Sequence, residues 1–386
     1  MKFSFRPSPN YRAKQSTSDI MRDVTICLLV VLTYSAVWHG VTFGGMYAAR
    51  VILMAAFAVV SALLTEVAFY AIMKSKNIWK DVTHSYGWIT ALIIALITKI
   101  DVSYYAIVLS TVIAIVFGKL VFGGFGQNIF NPAAFGEAII MNSFSEATSS
   151  NITDIVLSGA TPMTQMGTTG WAADASAIDS VVKSFGGLGN MFMGNYASVI
   201  GGSCALVIIL CGIYLIWRKD IDWRLTCTYI LTIFIVSLVV GIGHGTGLAF
   251  ALFNVLGGGV MFGAVFMLTD PVTTPVTNAG KFIFAIGAGC LTLVLRWRAS
   301  IPDGVLFSIL LMNMLTPAID KACDGNQIKD ASTIRTRVIA ISCISLIIAL
   351  LVGATLPKKD AQTSAVTPEV EETADVSIAE NPAEIG

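Results

Sequence analysis

The sequence predicts an all-α polytopic membrane protein. We expect about 10–11 transmembrane helices, forming an inverted repeat of two five-helix halves with discontinuous helices. Three observations carry this expectation. Of 386 residues, 55% are hydrophobic and only 12% charged, roughly half the ~25% charge of a soluble domain. The apolar residues gather in long runs separated by short polar turns. The chain also holds 34 glycines, which in so apolar a context point to close helix contacts and interrupted helices. This composition excludes a soluble enzyme, a nucleic-acid binder and a disordered scaffold.

Taken in order, residues 1–23 are polar and basic, and read as a cytoplasmic N-terminal segment without a cleavable signal. The first transmembrane half, 24–145, carries apolar runs at 24–42, 48–73, 86–100, 102–122 and 131–145. Residues 146–197 form a long polar stretch rich in Gly, Ser and Thr, the type of loop that is usually functional or disordered. The second half, 198–320, carries runs at 198–217, 223–242, 249–268, 282–297 and 303–319. Residues 321–356 form an inner loop and an extra helix over 337–356. Residues 357–386 have the composition of a disordered acidic tail, with seven acids against Lys358 and Lys359. The runs at 86–100, 131–145 and 282–297 fall short of the ~20 residues a crossing needs, so they read as tilted, re-entrant or broken. With the N-terminus inside, 17 Lys and Arg fall on the inner face and seven on the outer, which follows the positive-inside rule. Arg296 and Arg298 fit this poorly. The 146–197 loop then lies outside the cell.

The halves share a pattern. Gly123-Gly124-Phe125-Gly126 leads into Asn131-Pro132-Ala133, and Gly257-Gly258-Gly259 precedes Asp270-Pro271. Five spans before the large loop give the halves opposite polarity, as in inverted repeats with a site at their interface. Within the apolar runs, Glu66 and Glu137 are exceptional. Ionisable groups at membrane depth are functional candidates, although either could pair with a basic side chain at a helix contact. Asp270 is either such a functional acid or the holder of freed N–H groups in the Thr273–Thr274 turn. Asp320 ends a span, where solvation is the simpler reading. His39, His84 and His244 are scattered, and the seven cysteines show no CxxC or metal spacing. The histidines read as interfacial or packing residues and the cysteines as small hydrophobes.

Four strings, in order, carry a resemblance: Ser158-Gly159-Ala160-Thr161; Gly123 through Asn128-Ile129-Phe130-Asn131-Pro132; Thr269-Asp270-Pro271-Val272-Thr273; and Ile301-Pro302-Asp303-Gly304, continuing to Thr316-Pro317-Ala318-Ile319-Asp320. Over about residues 6–320 the chain resembles the D subunits of Rnf complexes, ion-translocating ferredoxin:NAD oxidoreductases. More distantly it resembles the B subunit of sodium-translocating NADH:quinone reductase. The resemblance implies a flavin-carrying transmembrane electron-transfer subunit that is inactive alone and couples redox chemistry to Na+ or H+ translocation. It implies covalent FMN on Thr161 through a phosphoester, with Ser158, Gly159 and Ala160 as the attachment turn, and non-covalent riboflavin beside Asn128 and Asn131. The two asparagines could instead cap a broken helix next to Pro132. Asp270, Glu137 and Asp320 are the ion-coupling candidates, and neither catalytic nor metal-ligating residues are expected.

The implied partners are other Rnf subunits (membrane, iron–sulfur and flavin subunits), an FMN transferase and the lipid bilayer. The location is the cytoplasmic (inner) membrane, with the flavin loop extracytoplasmic. No Rossmann fingerprint or iron–sulfur cysteine set is present, so NAD and ferredoxin chemistry fall to the partners. One departure is that Asp154 stands seven positions before Thr161, where the family places its acid six before. The alternatives are the quinone-reductase subunit and a non-redox small-solute channel of urea-transporter-like architecture.

Overall fold

The computed structural model describes residues 15–144, 161–168, 171, 175–196, 198–202, 204–299, 301, 303–323 and 331–356. Among them are sixteen α-helices and two π-helical turns, and no strand. Helices α1 (Thr17–Phe43) and α2 (Gly45–Ile72) are full-length crossings joined at Gly44, whose φ of 112° puts the turn in a region that favours glycine. The start of α1 is fixed by a capping box in which Ser16 and Asp19 satisfy each other's backbone N–H groups. After the short amphipathic α3 (Ile78–Ser85) come two part-length helices, α4 (Gly87–Ile97) and α5 (Tyr104–Ile115). The latter runs into a π-turn at Val116–Leu120, and α6 (Pro132–Ser143) follows. The second half also contains part-length helices and a π-turn. Helices α10 (Ala205–Arg218) and α11 (Trp223–Gly243) lead to the part-length pair α12 (Gly247–Leu256) and α13 (Val260–Phe262). That pair runs into a second π-turn at Gly263–Met267, and α14 (Asn278–Arg298) and α15 (Val305–Cys323) follow. Helix α16 (Ala331–Ala354) is the extra span. Each of the eleven apolar runs contains a helix.

By length and composition six helices can cross a bilayer, and the bent pair 247–256 and 260–267 makes a seventh, with a 62° break. Three further apolar helices, 87–97, 104–120 and 205–218, are shorter. An 11-residue helix such as α4 is about 16 Å long, only half the ~30 Å hydrocarbon thickness. The expectation of discontinuous helices therefore locates α4, α5, α12 and α13. The run at 282–297 differs. It belongs to a 21-residue helix, because Asn278–Lys281 and Arg298 extend the apolar run with residues that end at its two boundaries.

Burial separates central from lipid-facing helices. Ten of the eleven residues of α4 are buried, and Val260–Met267 is buried throughout. A helix apolar and buried all round belongs in a core. By contrast, α1, α2, α11 and α16 expose Val37, Leu53, Leu64, Ile235, Val239, Ile344 and Ile348, as expected where lipid is the solvent.

The breaks at 98–103 and 257–259 strand backbone groups at membrane depth, and a buried arginine answers each of them. At 98–103, Arg50 donates from Nε to Ile100 O (2.6 Å) and from Nη2 to Val102 O (2.9 Å). At 257–259, Arg296, fully buried, donates to Asn254 O (2.7 Å) and Gly257 O (3.1 Å). Its Nη2 also pairs with Asp303 Oδ1 at 2.9 Å, and Asp303 Oδ2 accepts from Gly259 N at 2.5 Å. One ion pair thus satisfies both the carbonyl end of α12 and the N–H end of α13. This is why Arg296 fits the charge-orientation rule poorly: it is a structural cap, not a surface charge.

The stretch 146–197 departs from a plain polar loop. Its described part contains α7 (Pro162–Thr168), α8 (Ala175–Ser184) and α9 (Leu188–Met193). Met163, Met166, Trp171, Ile178, Val181 and Met191 are buried in the core. A scattering of apolar residues at helical spacing turns the segment into a packed cap. Residues 158–160, 154 and 357–386 lie outside the described residues. Cys323, which reads as a loop residue in sequence, is buried at the end of α15.

Candidate functional site

Two cavities are stacked along α4 and α6. The cavity on the N-terminal face has a volume of about 90 Å³, and its walls include Thr90 and Ile93 of α4, Asn131 and Ala133 at the start of α6, Asn128, Lys119 and Asp270. The other, of about 320 Å³, lies further along the same helices: Ile97 at the end of α4 and Lys99 just past it, Glu137 and Met141 further along α6, with Thr161, Gly258 and Asp303. Gln15 donates to the Arg218 carbonyl at 3.2 Å, so the chain start and the 218–224 loop share one face. Thr161 lies towards the opposite one.

Asn131 lines the smaller cavity and bonds to Met267, which lines the larger one. Its Oδ1 caps α6 by accepting from Ala133 N (3.0 Å) and Ala134 N (3.3 Å), with Pro132 in the first turn. Its Nδ2 donates to Met267 O at 3.0 Å, the end of the second π-turn. With the Asn313 amide oriented to satisfy both of its ends, Asn313 Oδ1 accepts from Asn131 N at 3.0 Å. One 3%-exposed residue therefore joins α6, the second π-turn and α15. The capping reading holds for Asn131, and it leaves one amide hydrogen for a ligand. Asn128 Nδ2 donates to Phe130 O at 3.0 Å, and its side-chain amide also bonds to the Asp270 carboxylate.

Asp270 holds the freed groups of the 270–274 turn, one of the two readings the sequence left open. Its carboxylate accepts from Val272 N and Thr273 Oγ1, each at 3.2 Å, and it also lines the cavity with Asn128 and Asn131. Asp320 is placed apart from both cavities, where it accepts from Val276 N at 3.1 Å and pins the 270–277 turn. Glu137 is buried in the larger cavity and accepts from Thr98 Oγ1 at 2.7 Å. Glu66 does find a basic partner, Lys119, at 3.2 Å. His39 packs through Ser35 O at 2.8 Å, and among the described residues no group of His, Cys, Asp and Glu could hold a metal.

Thr161 is 9% exposed, and its hydroxyl caps α7 by accepting from Thr164 N at 3.2 Å. The oxygen lies 2.9 Å from Thr164 Oγ1 and borders the 320 Å³ cavity, within the ~300–1,000 Å³ of small-molecule sites. Phosphoester formation would remove its hydrogen but not its acceptor role, so the residue fits an attached FMN. For riboflavin the donor set also fits: amides for a ring edge and the apolar faces of Tyr86, Phe125 and Phe266. The 90 Å³ cavity alone is too small, but it shares the wall residues Asp220, Ile221, Thr269 and Pro271 with a crevice of about 670 Å³.

The same face carries a pH-sensitive contact. Asp220 lies in the loop between α10 and α11, where burial, and then the nearby Asp23 carboxylate, push its carboxyl up to about 6. Asp23 itself pairs with Arg218 at 2.8 Å. A raised folded-state value means the folded protein holds the proton more tightly, so stability rises as pH falls from above 6 towards the ordinary carboxylate range near 4. Asp220→Asn is therefore expected to raise the Tm in detergent at pH 7.5 and to raise it markedly less at pH 5, which lies between the folded and unfolded carboxyl values. An equal shift at both pH values would rule out the titration.

Interrupted helices around cavities that hold buried acids and amides define a polytopic membrane protein built to keep polar groups at membrane depth. Residues 4–329 match the family described as NQR2, RnfD, RnfE, and the chain belongs to that family. It is 35% identical over 325 residues to the D subunit of the proton-translocating ferredoxin:NAD(+) oxidoreductase complex of Clostridium ljungdahlii, covering 83% of this chain and 94% of that one. Over 321 residues it is 34% identical to the D subunit of the Na(+)-translocating ferredoxin:NAD(+) oxidoreductase complex of Acetobacterium woodii, covering 81% and 91%. The D subunit of the ion-translocating oxidoreductase complex of Pseudomonas aeruginosa is 33% identical over 330 residues, covering 81% and 92%.

Sequence reasoning passed over Lys119 and the Arg296–Asp303 clamp. Lys119 had a signal, being a charge within the 102–122 apolar run. The clamp had none, because its geometry depends on the break at 257–259.

Proposed function

We propose that this chain is the D subunit of an Rnf-type complex in a cytoplasmic membrane, where flavin-borne electron transfer between ferredoxin and NAD is coupled to movement of Na+ or H+. The observation that best supports this is the sharing out of the flavin-motif residues. Thr161 borders one cavity and Asn128 and Asn131 the other, with the two stacked through the protein along α4 and α6. Bound flavins would supply the electron chemistry, and the protein supplies binding and electrostatics.

In this reading Thr161 gives the acceptor oxygen for FMN on the extracytoplasmic side. Asn128 and the remaining amide hydrogen of Asn131 hold the riboflavin ring edge on the cytoplasmic side. Negative charge gained in a low-dielectric interior is costly unless a cation approaches. Glu137 and Asp270, one in each cavity, are the carboxylates placed to receive it, whereas Asp320 is assigned to the turn it pins. Partner subunits bring the NAD and iron–sulfur sites, and an extracytoplasmic transferase brings FMN.

The test is in-gel flavin fluorescence with peptide mass after co-expression with an FMN transferase. A fluorescent band and a modified peptide containing Thr161 are expected, and a dark band overturns the reading. For the second flavin, Asn128→Ala spares the α6 cap and is expected to lower acid-extractable riboflavin several-fold while covalent FMN stays. Unchanged riboflavin would remove it from this cavity.

A further inference from the structure

One buried charge cluster has no part in the reading above. Glu66 on α2 is fully buried, and Lys119, on the first π-turn, is 2% exposed. Glu66 Oε1 accepts from Ser85 Oγ at 2.6 Å and from Lys119 Nζ at 3.2 Å, and Nζ also donates to the Ser85 carbonyl oxygen. Glu66 Oε2 is buried with no hydrogen-bond partner among the described residues. Helix α4 makes room for the carboxylate by starting with Gly87, where a Cβ would overlap both Glu66 oxygens.

A purely structural role explains this poorly. A buried ion pair is on balance no better than an apolar replacement. An orphaned carboxylate oxygen adds the uncompensated cost of its desolvation. Buried ionisable groups in membrane segments mark ion pathways, and π-turns inside α-helices concentrate at functional positions. Lys119 also reaches the small cavity, whose wall includes the second carboxylate, Asp270. Its ammonium therefore has a second anionic partner within the same space.

We propose that Glu66 and Ser85 form a site for a small alkali cation, which the Lys119 ammonium fills in this structure and vacates by moving to Asp270. The ligand set is two carboxylate oxygens, a hydroxyl and a carbonyl, all hard oxygen donors suited to a cation stripped of water. Lys119 pairs with the Asp270 carboxylate as the incoming cation neutralises Glu66, so the net charge of the three side chains and the ion rises by the one charge of the cation. The site's use in translocation rests on the Rnf reading, but its existence does not, and the test reads cation binding without reference to flavin.

The experiment uses the purified full-length chain in detergent. Na+ binding is read as Tm against NaCl concentration, with choline chloride holding ionic strength constant. Lys119→Met removes the internal competitor and is expected to tighten the apparent Na+ affinity at least tenfold over wild type. Adding Glu66→Gln to it is expected to abolish the response. Asp270→Asn removes the second resting place of the lysine and is expected to weaken the wild-type Na+ response at least threefold, which serves if Lys119→Met does not fold. The proposal is overturned by a folded Lys119→Met protein with no Na+ response, by a double variant that keeps it, or by an Asp270→Asn protein that binds Na+ as wild type does. Loss of covalent flavin with Na+ binding intact would overturn the Rnf reading alone.

Discussion

Arg296→Met is expected to destabilise the protein by roughly 3–5 kcal/mol, the cost of removing one partner of a buried ion pair. The guanidinium is fully buried and serves two carbonyls of α12, at Asn254 and Gly257, as well as Asp303. Methionine fills most of the volume but leaves those carbonyls without donors in a region water does not reach. It also frees Asp303, which still holds Gly259 N. Arg298→Met is the control. Arg298 stands two residues on and is exposed, and among the described residues it bonds to Thr355, so its loss should fall within about 0.5 kcal/mol. Thermal unfolding of both variants in the same detergent decides the matter. A loss under about 1 kcal/mol for Arg296→Met would show that the break at 257–259 is held by other contacts.

Thr161→Ala is expected to eliminate covalent flavin altogether, while Thr161→Ser retains part of it. The hydroxyl that the reading makes a nucleophile is also the cap of α7, so alanine costs about 1 kcal/mol of local stability. That is too little to unfold a helix whose Met163 and Met166 are buried in the core. Serine keeps both the nucleophile and the cap. Thr164→Ala separates the two roles, since it removes the hydroxyl facing Thr161 and is expected to leave attachment in place. In-gel fluorescence with peptide mass reads all three variants. Fluorescence surviving in Thr161→Ala, or lost equally in Thr164→Ala, would move the attachment point.

Much of the architecture was legible because membrane folding is written in local composition. Each apolar run became a helix, and the glycine-rich stretches at 123–126 and 257–259 became turns and breaks. Asn131 before Pro132 became an N-cap, since capping depends on three or four adjacent residues. Even the pairing of Glu66 with a base was readable as a possibility, because an acid in an apolar run needs a partner.

The partners themselves were not legible. Asn131 and Met267 are joined across 136 positions, Glu66 and Lys119 across 53, and Thr161 meets Glu137 only as the lining of a shared cavity. Lipid-facing and core-facing helix sides are equally apolar, so hydropathy does not say which side faces inward. In lipid the hydrophobic effect does not drive helix against helix; close packing and interhelical hydrogen bonds do. Arg296 shows the consequence. The sequence counts it as a surface charge, whereas the tertiary structure folds it onto the stranded carbonyls of a broken helix, because in the absence of water some donor must reach them.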